Sequence, residues 1–221
     1  MVQNHIILAI GWILFSVLHS LLASLVVKQK IGKYFKNDLK WYRPVYVLVA
    51  TLSFGAILFY QFSIPTVLMY KMNAASILSG SAIGISGIII MVICIVKYFS
   101  RISGLNSLLL KNSSNKLLTT GLHRYVRHPL YFGTFLFIWG TFIALPYLTW
   151  LISSSIITIY TLIGIRYEED KLEVEYGESY KEYKKNVPMI LPKKHGFQRR
   201  TQISRIETPA RLSRSGGDFT D

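Results

Sequence analysis

Acidic side chains are scarce in this sequence and cysteine is almost absent. Asp and Glu number 11 against 25 Lys and Arg, and one cysteine stands in 221 residues. A lone Cys94 excludes an intramolecular disulfide framework and any multi-cysteine metal site. Inside an apolar stretch it reads as a small core hydrophobe. Asp, Glu, Lys and Arg are all missing from residues 5–27, 44–70, 72–96 and 128–165. Also missing are a P-loop, a G-x-G-x-x-G turn after a strand, H-E-x-x-H and G-x-S-x-G. P-loop phosphoryl transfer, zinc proteolysis and serine hydrolysis therefore lack their usual signatures. There is no internal repeat.

What is present is apolarity (51% hydrophobic residues) with a net charge of +14. That combination fits either a nucleic-acid binder with an apolar core or a polytopic membrane protein with basic loops. The distribution of charge decides for the membrane. A hydrocarbon core needs about 20 apolar residues in a helix, and the charge-free stretches supply them. Spans are expected at about 5–27, 44–63 and 77–97. The stretch 128–165 is too long for one crossing and contains Pro146, so it reads as a tight hairpin, about 130–145 and 147–166, whose first helix is short. The fold class is thus an all-α integral membrane protein of about five transmembrane helices, with a cytoplasmic C-terminal helix. A cleavable signal peptide is not expected, because no basic n-region precedes the first span and Lys28 stands where a small-residue cleavage site would be.

The loop 28–43 carries Lys28, Lys30, Lys33, Lys36, Lys40 and Arg43 against Asp38 alone. The loop 97–127 carries Lys97, Arg101, Lys111, Lys116, Arg124 and Arg127 and no acid. Opposite them stands only Lys71. The positive-inside rule then puts the N-terminus outside, with both basic loops and the C-terminal region in the cytoplasm. Anionic headgroups suffice as the partner of these loops, and no nucleic acid is needed.

In the third span, Gly80 and Gly84 with Ser86 and Gly87 have the small-residue spacing that lets membrane helices approach closely. Residues 167–186 read as a soluble-type helix with a Leu172–Tyr176–Tyr180–Tyr183 stripe, weakened at Gly177 and stopped before Pro188. Residues 1–192 form the membrane domain, with its chemistry at about 99–192. The polar stretch 193–221 has no apolar period and is expected to be disordered.

Polarity at membrane depth is costly, which makes its bearers functional candidates. In "TTGLHRYVRHPLYFG", Gly121 permits a tight turn, and Arg124, Arg127 and His128 stand at the mouth of the fourth span. Pro129 suits a first helical turn, and that helix end favours an anion such as a carboxylate. An ordinary basic flank is the competing reading. In "RYEEDKL", Glu168 lies four before Leu172 and so on the stripe, while Glu169 falls on the polar side as a solvated charge. A carboxylate on a buried stripe needs a partner: ribose hydroxyls, an amine, or Arg127 or Arg124. His19-Ser20 within span 1 is either an interhelical hydrogen bond or a ligand or base. "WYRPVY" at 41–46 reads as an aromatic belt.

These paired elements, Arg127-His128-Pro129-Leu130-Tyr131 with Glu168-Glu169-x-x-Leu172 and Gly177-x-x-Tyr180-x-x-Tyr183, resemble the isoprenylcysteine carboxyl methyltransferase superfamily, which also includes membrane phospholipid N-methyltransferases. The match covers about residues 115–192. "LFSVLHSLLAS" with "YRPVYVLVATL" is similar to bacterial members related to methanethiol S-methyltransferase. The resemblance implies bound S-adenosylmethionine reached from the cytoplasm, S-adenosylhomocysteine as product, and an acceptor entering from the bilayer. It assigns cofactor contacts to Lys116, Leu117, Leu118, His123, Arg127, His128, Pro129, Leu130, Tyr131 and Glu168, with Glu168 and Arg166 carrying the catalytic role. Members commonly have Tyr or Phe where this chain has His123. The implied acceptor is a small thiol, an isoprenylcysteine carboxylate or another lipophilic molecule. In-line methyl transfer needs positioning more than acid–base chemistry, and no metal. The alternative is a non-catalytic membrane protein, an assembly factor or small transporter, that keeps the fold.

Overall fold

The computed structural model describes residues 1–34, 42–102 and 117–192. Lys116, the rest of the connector 103–116, the loop residues 35–41 and the tail 193–221 lie outside the described residues. Within them the chain is all-helical: α1 (Val2–Ala23), α2 (Leu25–Tyr34), α3 (Tyr42–Ser63), α4 (Ala74–Ile102), a 3-10 turn (Gly121–Arg124), α5 (Pro129–Ala144), α6 (Leu148–Tyr176) and α7 (Glu178–Asn186). Four helices are long and apolar enough to cross a membrane: α1, α3 from Pro44, α4 to Lys97, and α6. The 16-residue α5 is the shorter fifth apolar helix.

The chain divides into two compact units. One holds residues 1–99 and 130–168, the other residues 100–129 and 169–221.

In the first unit, α1 buries one face, His5, Leu8, Trp12 and Ser16, at helical spacing. Against α3, Trp12 Nε1 donates to Gln61 Oε1 at 3.2 Å and Tyr60 donates to the carbonyl of Asn4 at 3.4 Å. The first span was expected to run on to residue 27, but it breaks at Ser24, whose backbone is extended. The Ser24 hydroxyl accepts the N–H of Val27 at 3.3 Å, so serine's preference for a helix N-cap wins over apolar continuity.

The glycines of α4 do what their spacing suggests. A Cβ built at Gly80 would run into the backbone of Ala144 and Gly140. One at Gly87 would meet the carbonyl of Gly133, and one at Gly140 the backbone of Gly84. Lipid tails are as apolar as leucine, so membrane helices gain by close approach, and small residues on both α4 and α5 permit it. Across the three-residue link from α5 to α6, Ser154 donates to the Ile138 carbonyl at 3.2 Å and Trp139 Nε1 to Thr158 at 3.1 Å. At that link Met69 N–H donates to the Pro146 carbonyl at 2.7 Å and Leu148 N–H to the Val67 carbonyl at 2.8 Å. The remaining faces of the long helices expose Ile, Leu, Val and Phe throughout.

A separate helix over 167–186 does not form. The last span runs on without interruption to Tyr176, and the break falls at Gly177. Residues 165–176 contain neither Pro nor Gly and are rich in helix-forming Glu. Gly177 takes φ 55°, a left-handed value that suits glycine and ends the run. As expected from Pro188, α7 stops at Asn186 and Val187 is extended.

Candidate active site

The polar residues gather in two clusters, one in each unit. The cluster of the second unit is built on "TTGLHRYVRHP". Gly121 takes φ 66° and opens the 3-10 turn. The chain then pairs with the segment after α7: Arg127 N–H donates to the Pro188 carbonyl at 2.9 Å and His128 N–H to the Met189 carbonyl at 3.1 Å. The Tyr183 hydroxyl donates to the His123 carbonyl at 2.5 Å. Tyr180, Tyr183 and Val187 form a small core, and Leu117, Leu172 and Tyr176 pack on it.

At its centre is Glu169. Arg127 Nε donates to Glu169 Oε1 at 2.7 Å, and His128 Nε2 lies 3.1 Å from the same oxygen. Lys184 Nζ is 3.4 Å from Oε2 and 2.6 Å from Glu173 Oε1. Hydrogen bonding to Glu173 and the charge of Glu169 hold the Lys184 ammonium above the ordinary lysine range. Arg127 Nη1 also donates to the carbonyls of Lys184 (3.1 Å) and Val187 (2.6 Å). A cation is thereby set on the C-terminal carbonyls of α7. The Arg127 and Glu169 side chains are each 8% exposed, so the pair is a buried one whose members satisfy each other.

This corrects the expectation that Glu169 is a solvated charge, and it gives to Glu169 the Arg127 contact that was one of the alternatives for Glu168. Ile165, Glu169, Leu172 and Tyr176 follow one another at four, three and four residues, one continuous helical face. Ile165 is fully buried and Glu169 nearly so. Extending the stripe upward by a single step of four, from Leu172 to Glu168, selects the neighbouring face. Carrying the periodicity back to Ile165 finds the right one.

The first unit gathers its polar side chains at one end of its helices. Tyr131, in the first turn of α5, is an electrostatic neighbour of the half-buried Glu168 near the end of this unit's stretch of α6. Tyr160, two turns earlier on α6, is an electrostatic neighbour of both Tyr131 and Tyr46. The Ser20 hydroxyl donates to Tyr160 at 3.1 Å. The ring of His19 packs against Tyr46 and Tyr160, with centroids 5.5 and 6.4 Å apart. The expected interhelical contact of His19 is therefore present, with Tyr46 of α3. Beside this end lies a cavity of about 520 Å³ between α1 and α6, lined by Ile13, Val17, Ile159 and Ile163 and reaching Ser20 and Tyr160.

The other candidates are spread over both units. Leu118 and His123 are half-buried and Pro129 is buried in the second; Leu130 is half-buried and Arg166 exposed in the first. The structure brings Arg127 and His128 together through Glu169, and Tyr131 together with Glu168. The motifs did not single out Glu173, Lys184, Tyr46 or Tyr160, which reach the clusters from other helices.

The family model for a protein of unknown function, DUF1295, matches residues 5–187. The chain belongs to the DUF1295 family. Its relatives are named for methyl transfer, in keeping with the isoprenylcysteine carboxyl methyltransferase-like superfamily. This DUF1295 chain is 43% identical over 79 residues to a methanethiol S-methyltransferase of Crocosphaera subtropica, covering 35% of this chain and 29% of that one. It is 30% identical over 189 residues to methanethiol S-methyltransferase 1 of Bradyrhizobium diazoefficiens, 81% of this chain and 64% of that one. It is 35% identical over 83 residues to a protein-S-isoprenylcysteine O-methyltransferase of Schizosaccharomyces pombe, 37% of this chain and 35% of that one. The DUF1295 chain thus spans less than two thirds of the length of these curated relatives. No solved structure matches it.

Proposed function

We propose that this chain is an integral-membrane methyltransferase that uses S-adenosylmethionine and methylates a thiol or another small lipophilic acceptor. The observation that carries the reading is the pairing of Tyr131 with the half-buried Glu168 at the end of apolar helices, in a chain whose relatives are named for methyl transfer to sulfur or to a prenylated cysteine. The residues fit the donor. A half-buried carboxylate with an aromatic hydroxyl suits a cationic sulfonium and its ribose hydroxyls. The donor supplies an electrophilic methyl group when bound.

In this reading Glu168 binds the donor and Tyr131 orients the Glu168 carboxylate. Leu117, Leu118, His123, His128, Pro129 and Leu130, with Lys116, are the further donor contacts that the resemblance assigns. Arg127 changes role. Its Nε and Nη1 are engaged by Glu169 and two carbonyls, so it acts as a positioning residue rather than as a clamp on the donor carboxylate. Arg166, exposed on α6, serves the acceptor. The charge asymmetry of the loops supports an N-terminus outside and a cytoplasmic donor site. Cysteine introduced at Lys71 is then labelled by an impermeant maleimide on intact cells, and protection of that position overturns the orientation.

Calorimetry on the detergent-purified full chain tests the function. S-adenosylhomocysteine is expected to bind with one site per chain, and a labelled methyl group to pass from S-adenosylmethionine to an alkyl thiol. Arg166→Ala is expected to bind S-adenosylhomocysteine as the parent does and to turn over more slowly. No binding by the parent sinks the methyltransferase reading. Loss of binding in Arg166→Ala moves that residue to the donor side.

A further inference from the structure

His19 is a polar side chain at membrane depth that donor binding does not use. It stands near the C-terminal end of α1, one residue from Ser20, with Tyr46 of α3 and Tyr160 of α6 against its ring. These two tyrosines are the titratable groups that face it, and no charged side chain among the described residues pairs with it. The Tyr46 hydroxyl lies 3.3 Å from Nδ1 and 3.2 Å from Nε2. A point equidistant from both nitrogens and this close to them lies off the in-plane axis of either one. Tyr46 therefore holds the ring by its face and leaves the in-plane directions, where an imidazole donates and accepts, to other partners.

The surroundings point to what that partner is. Tyr160 joins His19 to three things: the Ser20 hydroxyl, the neighbourhood of Tyr131, and the polar end of the cavity between α1 and α6. The other lining side chains are almost all apolar, and no Asp, Glu, Lys or Arg is among them. Ile13, Val17, Ile159 and Ile163 are exposed on their helices. About 520 Å³ is space for an alkyl chain. A pre-ionised acceptor would find no counter-charge in this lining, at a cost that burial of an unpaired ion makes large. An uncharged thiol carried on an apolar chain meets no such cost, but must lose its proton to become a nucleophile.

We propose that His19 is the proton acceptor for a neutral, lipophilic thiol seated in the α1–α6 cavity, with Ser20 and Tyr160 at the polar end of the seat. This rests on the methyltransferase reading above. His19 takes the S–H proton on a ring nitrogen. The sulfur electron pair so released forms the new S–CH3 bond, while the pair of the breaking sulfonium C–S bond stays on the donor sulfur. The products are a thioether, neutral donor product and an imidazolium that returns its proton to water when the site empties. Tyr46 keeps the ring's orientation and is a positioning residue.

The experiment uses the full chain in lipid nanodiscs, S-adenosylmethionine, and two acceptors: 1-octanethiol, and an acidic aryl thiol already ionised at neutral pH. His19→Gln is expected to bind S-adenosylhomocysteine within about twofold of the parent and to unfold at the same temperature. Its turnover of octanethiol at pH 7 should fall roughly a hundredfold or more, the usual weight of a positioned base. With the aryl thiol the loss should shrink to less than about tenfold, because no proton needs to be taken. The octanethiol rate of His19→Gln should rise with pH toward the parent's as the thiol ionises unaided. Tyr160→Phe should raise KM for octanethiol more than it lowers kcat. Equal losses for both thiols, or an octanethiol rate that survives in His19→Gln, overturn the role of His19 while leaving the methyltransferase intact. A parent that binds no S-adenosylhomocysteine sinks the underlying reading, and this inference with it.

Discussion

Glu169→Ala unfolds this protein at a markedly lower temperature than the parent, with a loss of about 3–5 kcal/mol, the usual cost of stranding one member of a buried ion pair. The expectation comes from geometry: one carboxylate oxygen takes Arg127 at 2.7 Å and His128 at 3.1 Å, and the other faces Lys184 at 3.4 Å. Without the carboxylate, a guanidinium 8% exposed keeps the carbonyls of Lys184 and Val187 but loses its only anion among the described residues. Arg127→Met alone should cost a similar amount, since it frees those carbonyls and leaves Glu169 facing His128 and Lys184. The double variant Arg127→Met with Glu169→Ala should cost less than the sum of the two, because neither charge is then left alone. Coupling of this kind between contacting residues runs to about 0.5–3 kcal/mol. Thermal unfolding in detergent, followed by tryptophan fluorescence, reads all four proteins. Additive losses, or an Arg127→Met protein as stable as the parent, show that the buried pair does not hold the second unit together.

The pair also marks where reading the sequence stopped short. The spans were legible because hydropathy needs no partner: four runs without charge became helices at nearly the expected places. Gly121 and Gly177 were legible because each meets a backbone demand that is local, and both adopt positive φ. The Gly80–Gly84–Gly87 face was legible as a packing surface, but its partner on α5, Gly133 and Gly140, was not, since close approach is a property of two helices. Glu168 and Glu169 show the same limit within one helix. A rotation of one residue, 100° at 3.6 residues per turn, decides which carboxylate is buried. The cue that resolves it, Ile165, lies on the membrane side of the motif. The contacts of Lys184 and Tyr160 could not be read from any motif, because they depend on how α7 returns to residue 127 and how α6 passes α1.

Glu168→Gln should separate the two carboxylates by function. Glu168 is half-buried, with Tyr131 as an electrostatic neighbour. A half-buried carboxylate at the end of apolar helices, beside a phenol, can accept from a ligand's hydroxyls or face its cationic centre. Replacing its charge by an amide removes a charge-assisted hydrogen bond, a loss of about 1.5–3 kcal/mol, which is roughly ten- to a hundredfold in affinity. We therefore expect Glu168→Gln to unfold near the parent's temperature and to bind S-adenosylhomocysteine ten- to a hundredfold more weakly. Tyr131→Phe, which keeps the ring and the carboxylate but removes the hydroxyl that orients it, should weaken binding by a smaller factor. Glu169→Gln, measured well below its own unfolding temperature so that the protein is folded, should bind far closer to the parent than Glu168→Gln does. The outcome that defeats this assignment is an equal loss of binding in Glu168→Gln and folded Glu169→Gln. The Glu169 cluster would then hold the donor directly, and Tyr131–Glu168 would be only a tie between α5 and α6.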